Sequence, residues 1–312
     1  MKKRNSETRF LYLLVLFMVI ILPSGYGQVT PFQKSVMDSI EANSFNASIA
    51  LGFNASHDAT SSLTTSADVG LMYSTERSNF QLVQSSYFNR YERFSTDNRF
   101  IAMATASLFS HDSVGNKLIE NKVYPEPFVL YSSDIMRALN WRWQFGVNTV
   151  YAFKPTRILR IKTGVGLLYE MENWQMVKHE LVPYLDTLPD TIQKYLFETI
   201  GISKDGKLRR NNIRANAYAN MMCAFTKNIN LNAFIDIQMP FVPPYKDLPQ
   251  IDEFPVVTKL YPRISFAMDF MVNIFGSLSF ITHFAFQFDK GQIPLYAPNF
   301  MYNVSEGLQL EL

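Results

Sequence analysis

The chain has 312 residues, 14% of them aromatic, and a formal charge of +2. A mean hydropathy of -0.04 excludes a bundle of transmembrane helices but suits a barrel that gives every second residue to a polar lumen. A single cysteine, Cys223, excludes an intramolecular disulfide, and that residue is expected as a small buried or lipid-facing thiol.

Met1 to Gly27 reads as a cleaved secretory signal peptide. Lys2, Lys3, Arg4 and Arg9 precede the 13-residue apolar run Phe10 to Leu22, and Gly25 and Gly27 sit where a signal peptidase needs small residues. Its removal leaves 25 Lys and Arg against 26 Asp and Glu, so no nucleic-acid partner is expected. Residues 28–45 form a polar, periplasmic lead-in, and residues 46–312 form one barrel. The first strand is Ala47 to Ser56 and the second Ser66 to Ser74. The third, Asn79 to Arg90, carries Phe80, Leu82 and Phe88 on one face. A fourth runs from Asn98 to Ser110, and Asp112 to Asn116 is a turn. Leu118 to Leu130 is expected as the fifth strand although Pro125 and Pro127 interrupt it, and proline cannot donate to a ladder.

Arg137 to Phe153 is the most informative stretch. Leu139, Trp141, Trp143, Phe145, Val147, Tyr151 and Phe153 alternate with Asn140, Arg142, Gln144, Gly146 and Asn148, which is period two and hence a strand. From Trp141 to Phe153 it climbs about 40 Å at ~3.3 Å per residue, and a tilt of ~40° turns that into roughly 30 Å, a bilayer core. Trp141, Trp143, Tyr151 and Phe153 stand at the two ends of the apolar face as an aromatic girdle. Lys154-Pro155-Thr156 turns the chain into a seventh strand, Arg157 to Glu172, with Leu159, Ile161, Val165, Leu167 and Tyr169 outward. Keeping both apolar faces together pairs even positions with even ones, so Arg142 falls opposite or diagonal to Glu170.

Asn173 to Arg210 is a long loop with a helix capped by Asp190, striped by Ile192, Tyr195, Leu196 and Ile200, and stopped by Gly201. Strands follow at Ile213 to Phe225, Ile229 to Met239, Arg263 to Val272, Leu278 to Phe288 and Met301 to Leu312, with a proline-rich loop at Phe241 to Pro255. The reading is all-β: a transmembrane, antiparallel, up-and-down β-barrel of about twelve strands with a helix-bearing extracellular loop. Short turns on one side, long loops on the other and an even count fit a barrel of the bacterial outer membrane.

The chain also resembles a known family. Arg142-Trp143-Gln144-Phe145-Gly146-Val147, followed by Gly164 to Trp174 with its Tyr169-Glu170-Met171-Glu172-Asn173-Trp174 run, looks like the paired signature of the salt-induced outer-membrane protein family, a domain of unknown function. Asp236 to Pro240, Pro262-Arg263-Ile264, and Phe288-Asp289 with Pro294 are similar to further elements of its pattern. The likeness spans about Ser62 to Leu312. The long loop and the terminal Leu312, where such barrels usually end in an aromatic residue, depart from it. The resemblance implies a fold and a location, not an activity.

No P-loop, zinc spacing, dinucleotide fingerprint or nucleophile elbow is present, so neither cofactor nor metal is expected. The inward set is Arg142, Arg160, Lys162, Glu170, Glu172, Arg214, Asp236, Arg263, Asp269 and Asp289. These residues either orient a small solute in a narrow pathway or form a salt-bridged plug. Lys207, Arg209 and Arg210 stand near the expected outer rim, as a lipid A contact or as a solvated cluster. The expected partners are outer-membrane lipids, lipopolysaccharide and, during biogenesis, the barrel-assembly machinery. The role is a narrow small-solute channel or an envelope-structure protein, not an enzyme. The competing reading, a phospholipase-like enzyme, needs a serine and histidine on the lipid-facing surface, whereas His283 is expected to face inward.

Overall fold

The computed structural model describes residues 44–57, 61–75, 78–91, 94–108, 122–135, 138–177, 179–241, 262–275, 278–289 and 300–311. The expected signal peptide, nearly all of the 28–45 lead-in, the turn at 112–116 and all but Phe241 of the 241–255 loop lie outside them. The strands are β1 (Ser44–His57), β2 (Ser61–Ser74), β3 (Ser78–Tyr91), β4 (Phe94–Leu108), β5 (Lys122–Asp134) and β6 (Leu139–Phe153). They continue with β7 (Leu159–Gln175), β8 (Lys207–Thr226), β9 (Ile229–Pro240), β10 (Arg263–Phe275), β11 (Leu278–Asp289) and β12 (Phe300–Glu311). Each pairs antiparallel with its sequence neighbours, and β12 returns to β1 as a closed barrel.

The alternation in the chain is the cause of this wall. Along β6, Trp143, Phe145, Val147, Thr149 and Tyr151 are exposed on the outer face, while Arg142, Gln144, Asn148, Val150 and Ala152 are buried inside. On β7, Val165, Leu167 and Tyr169 face out, and Lys162, Leu168, Glu170 and Glu172 face in. The interior is therefore the polar side and the perimeter the apolar one, the reverse of a soluble sandwich.

Several expectations need correction. Ser44 and Phe45 already belong to β1, so the lead-in ends earlier. β5 is described from Lys122, the expected start at 118–121 lying outside the described residues, and it runs on past Leu130 to Asp134. Its prolines are tolerated because their two-residue spacing puts both missing donors on one edge. Among the described residues the β4–β5 pairs begin only at Phe128, past both prolines. The outward phase of β6 does not reach Leu139, which is 2% exposed on the inside. A register shift between Leu139 and Trp141 reverses the alternation there, next to Ala138, whose φ of 57° is in the left-handed region.

The single helix expected at 190–200 is broken. A 3₁₀ stretch (His179–Thr187) leads to a short α1 (Asp190–Lys194), which widens into one π turn (Tyr195–Ile200). Gly201, with φ 82°, does end it. The loop is also shorter than expected, because β7 extends to Gln175 and β8 starts at Lys207. Met176 and Val177 donate backbone hydrogen bonds to Gly206 and clamp its base.

Candidate functional site in the barrel lumen

The β6–β7 register sets the site. Arg142 pairs with Glu172 and Gln144 with Glu170, so Arg142 is diagonal to Glu170. Strands β8 to β11 complete the arrangement. β8 brings Arg214 beside Leu168, and β10 brings Arg263 beside Asp289 of β11.

Glu170 is the hub, with no exposed surface. It accepts from Arg263 Nη1 at 2.5 Å, Gln144 Nε2 at 2.6 Å and Arg214 Nε at 2.8 Å, and Arg142 Nε lies 3.4 Å away. Glu172 accepts from Arg142 Nε at 2.7 Å, Arg263 Nη2 at 3.1 Å and the indole N–H of Trp174 at 3.2 Å. Arg210 reaches the same carboxylate at 3.5 Å. Asp289 accepts from Arg263 Nε at 2.8 Å. The Arg263 fork thus touches three carboxylates on two faces of the lumen. Gln238 ties in Asp236: its Oε1 accepts from Arg263 and Gln144 at 3.0 Å each, and its Nε2 donates to Asp236 at 2.9 Å. Arg142 lies over the Trp174 ring at 5.5 Å.

Taking a charge out of water costs several kcal/mol, so such groups persist only when paired and hydrogen-bonded. Here Arg142, Arg210, Arg214 and Arg263 face Glu170, Glu172, Asp289 and Asp236, and the signs balance. A cavity of about 40 Å³ remains beside them, between Arg142, Arg263 and the Arg99–Asp134 ion pair (3.5 Å). That is room for water, not for a solute.

A second knot lies further along the lumen. Glu126 of β5 accepts from Lys162 Nζ at 2.5 Å, Tyr218 OH at 2.6 Å and Ser107 Oγ at 2.7 Å. Tyr218 reaches across because Gly164 lies beneath its ring; a Cβ there would overlap the ring carbons. An Asn216 to Asn148 hydrogen bond at 3.1 Å stands between the two knots.

Of the ten expected lumen residues, Arg142, Glu170, Glu172, Arg214, Arg263 and Asp289 meet in the first knot, Asp236 joins through Gln238, and Lys162 belongs to the second. Arg160 is half-buried at the turn end of β7, outside both. Asp269 pairs instead with His283, whose Nδ1 is 2.6 Å from Oδ1. The rim trio is separated. Lys207 Nζ is 2.6 Å from Asp205, Arg210 turns inward to Glu172, and Arg209 is exposed. Burial alone identifies Glu126, Tyr218, Gln144 and Gln238, which chemistry-based reading passes over. For Glu126 the signal was its even position in a phase set by Val123 and Val129, obscured by the flanking prolines. In the girdle, Trp143 and Tyr151 are exposed on the perimeter and Trp141 and Phe153 are half-exposed; Trp143 stacks on Phe145 and Tyr151 on Phe153.

No family model matches this chain, and no curated protein does. Solved structures of outer-membrane barrels are similar to it at low identity. The COG4313 outer membrane channel from Pseudomonas putida F1 is 8% identical over 90% of this chain and 98% of that one, with a TM-score of 0.48. The NanC porin is 9% identical over 85% and 98%, with a TM-score of 0.42. The translocator domain of the autotransporter NalP from Neisseria meningitidis is 9% identical over 86% of each chain, with a TM-score of 0.41. Likeness at this level does not bear on activity, and the barrel is read from the chain's own ladders.

Proposed function

We infer that the protein is a twelve-stranded barrel of the bacterial outer membrane whose lumen is shut along its axis. At rest it is an envelope-structure protein, and it becomes a narrow small-solute channel only when the plug moves. The supporting observation is the Arg263 fork on Glu170, Glu172 and Asp289, which ties β7, β10 and β11 together inside the lumen, with a cavity of about 40 Å³ beside it. The apolar perimeter with its polar interior supports the membrane setting. Export by the Met1 to Gly27 signal and insertion by the barrel-assembly machinery belong to this reading. So does membership of the salt-induced family, which rests on the hairpin motifs.

Planar-bilayer recording tests the closed lumen. Wild-type protein, shown folded by heat-modifiable gel migration, should carry no steady current, whereas the Glu170→Gln/Arg263→Gln pair should admit ions. A steady ohmic current from wild type overturns the reading. No lipid hydrolysis is expected, because His283 faces the lumen against Asp269; hydrolysis abolished by His283→Ala would establish the enzyme instead. For lipopolysaccharide, the separated trio leaves Arg209 as the exposed cation. Arg209→Ala should reduce co-purified lipopolysaccharide, and an unchanged amount removes this contact.

A further inference from the structure

The barrel closes unevenly. β1 pairs with β2 from Ser44 to His57, but among the described residues it meets β12 through four pairs, from Ser48 with Glu311 to Leu51 with Leu308. Continued in the same register, Gly52 to His57 would face Tyr302 to Gly307. Both segments are strands, yet among the described residues no pair joins them. Every second backbone group on these edges therefore lacks a ladder partner, at a cost of several kcal/mol each in hydrocarbon. A seam left open at this cost is a place where polar groups or water enter the wall.

Three side-chain observations border the opening. Asp68 shares the inward parity of Met72 and Ser74, lies opposite Ala50 at the end of the paired stretch, and is hydrogen-bonded by Ser85 while keeping exposed surface toward the lumen. The Asp269–His283 pair interacts electrostatically with Asp68. On the outer face, Glu306 pairs in register with Thr282 among Phe280, Phe284 and Val304, and its Oε1 is buried with no hydrogen-bond partner. A carboxylate amid apolar neighbours on the perimeter calls for a donor. An outer groove of about 580 Å³ starts at Leu51, the last residue of β1 paired with β12 among those described, and runs across β2 to β5 away from β12, lined by Ala67, Phe88, Phe100 and Ile135 together with Ser86 and Arg99; it is large enough for an acyl tail.

We propose that the unpaired part of the β1–β12 seam is a side portal that takes a cationic amphiphile, an amine with an apolar tail, between the membrane and the lumen. Asp68 and Glu306 supply the charge on the two sides of the wall, and the groove holds the tail. The proposal rests on the barrel being membrane-embedded. It also accounts for a lumen plugged along its axis, since lateral entry needs no axial path.

The test locks the seam. In a Cys223→Ser background, Asn54→Cys and Ser305→Cys place thiols opposite one another in the continued register. The probe is dodecylammonium carrying a fluorophore at its tail end, with the protein in lipid nanodiscs and insertion verified separately by quenching of tryptophan with brominated lipid. Wild type should bind the probe in competition with unlabelled dodecylammonium and not with dodecyl sulfate. The oxidised variant should bind at least ~10-fold more weakly and recover on reduction, and Asp68→Asn with Glu306→Gln should cost a similar factor. Equal binding by oxidised and reduced protein, or none by inserted wild type, overturns the portal. Should the disulfide fail to form, amide exchange decides. Alternate amides in 52–57 exchanging as slowly as those in 48–51 mean a closed seam and an end to the proposal. Failure of tryptophan quenching indicts the membrane reading instead.

Discussion

Replacing Glu170 by Gln keeps the shape of the side chain and one acceptor oxygen but removes the charge at the centre of the plug. Three guanidiniums and Gln144 converge on that carboxylate within 3.4 Å, and the residue has no exposed surface. Breaking one buried ion pair by removing a partner costs about 3–5 kcal/mol, because the other charge stays buried and uncompensated. Glu172 and Asp289 share Arg142 and Arg263, so part of the loss is absorbed and the lower end of that range is expected. Arg214 has Glu170 as its nearest carboxylate, at 2.8 Å. Arg214→Gln alone should therefore also destabilise, but Glu170→Gln/Arg214→Gln should cost less than the two singles together, with coupling of about 1–3 kcal/mol. The assay is urea unfolding of the barrel reconstituted in lipid, followed by tryptophan fluorescence, with the midpoint and slope read separately. Single variants within about 0.5 kcal/mol of wild type, the scale of surface substitutions, or strict additivity in the double, would refute the claim that Glu170 is the hub.

Three further outcomes are expected. Gly164→Ala should push the Tyr218 ring off the wall and break its hydrogen bond to Glu126, lowering stability by about 1–3 kcal/mol in the same urea assay; an unchanged midpoint means that the ring has room. With Trp141 and Trp174 each changed to Phe, Trp143, 38% exposed on the perimeter, should be quenched by brominated acyl chains. A chain keeping only Trp174, 1% exposed against Glu172, should resist quenching, and the opposite ranking would invert the wall. At the loop base, hydrogen bonds from Lys207 and Ser203 hold the Asp205 carboxyl down to about 2 from 3.8. Its folded pKa is depressed, so its contribution is complete above 3.8 and is lost as pH falls through about 2. Solution NMR of the Asp205 carboxyl should find this midpoint, and titration near 3.8 would mean that the exposed pair does not hold in solution.

The chain determines its own faces. Period-two alternation decides which side of each strand is apolar, and a one-residue slip would reverse every side chain, so local sequence puts Arg142 opposite or diagonal to Glu170, and the register then pairs it with Glu172. Alternation fails where the backbone departs from regular pleat, as at Ala138 and Leu139, where one left-handed residue turns an expected perimeter leucine inward. It is also silent on what meets across the lumen. Arg263 and Glu170 are 93 residues apart, and only closure of the sheet decides that they touch while Asp269 turns to His283 and Arg160 stays at the turn. The same closure decides that, among the described residues, β1 and β12 join over four pairs, because the extent of that seam depends on strand tilt around the whole barrel, a quantity no single strand encodes.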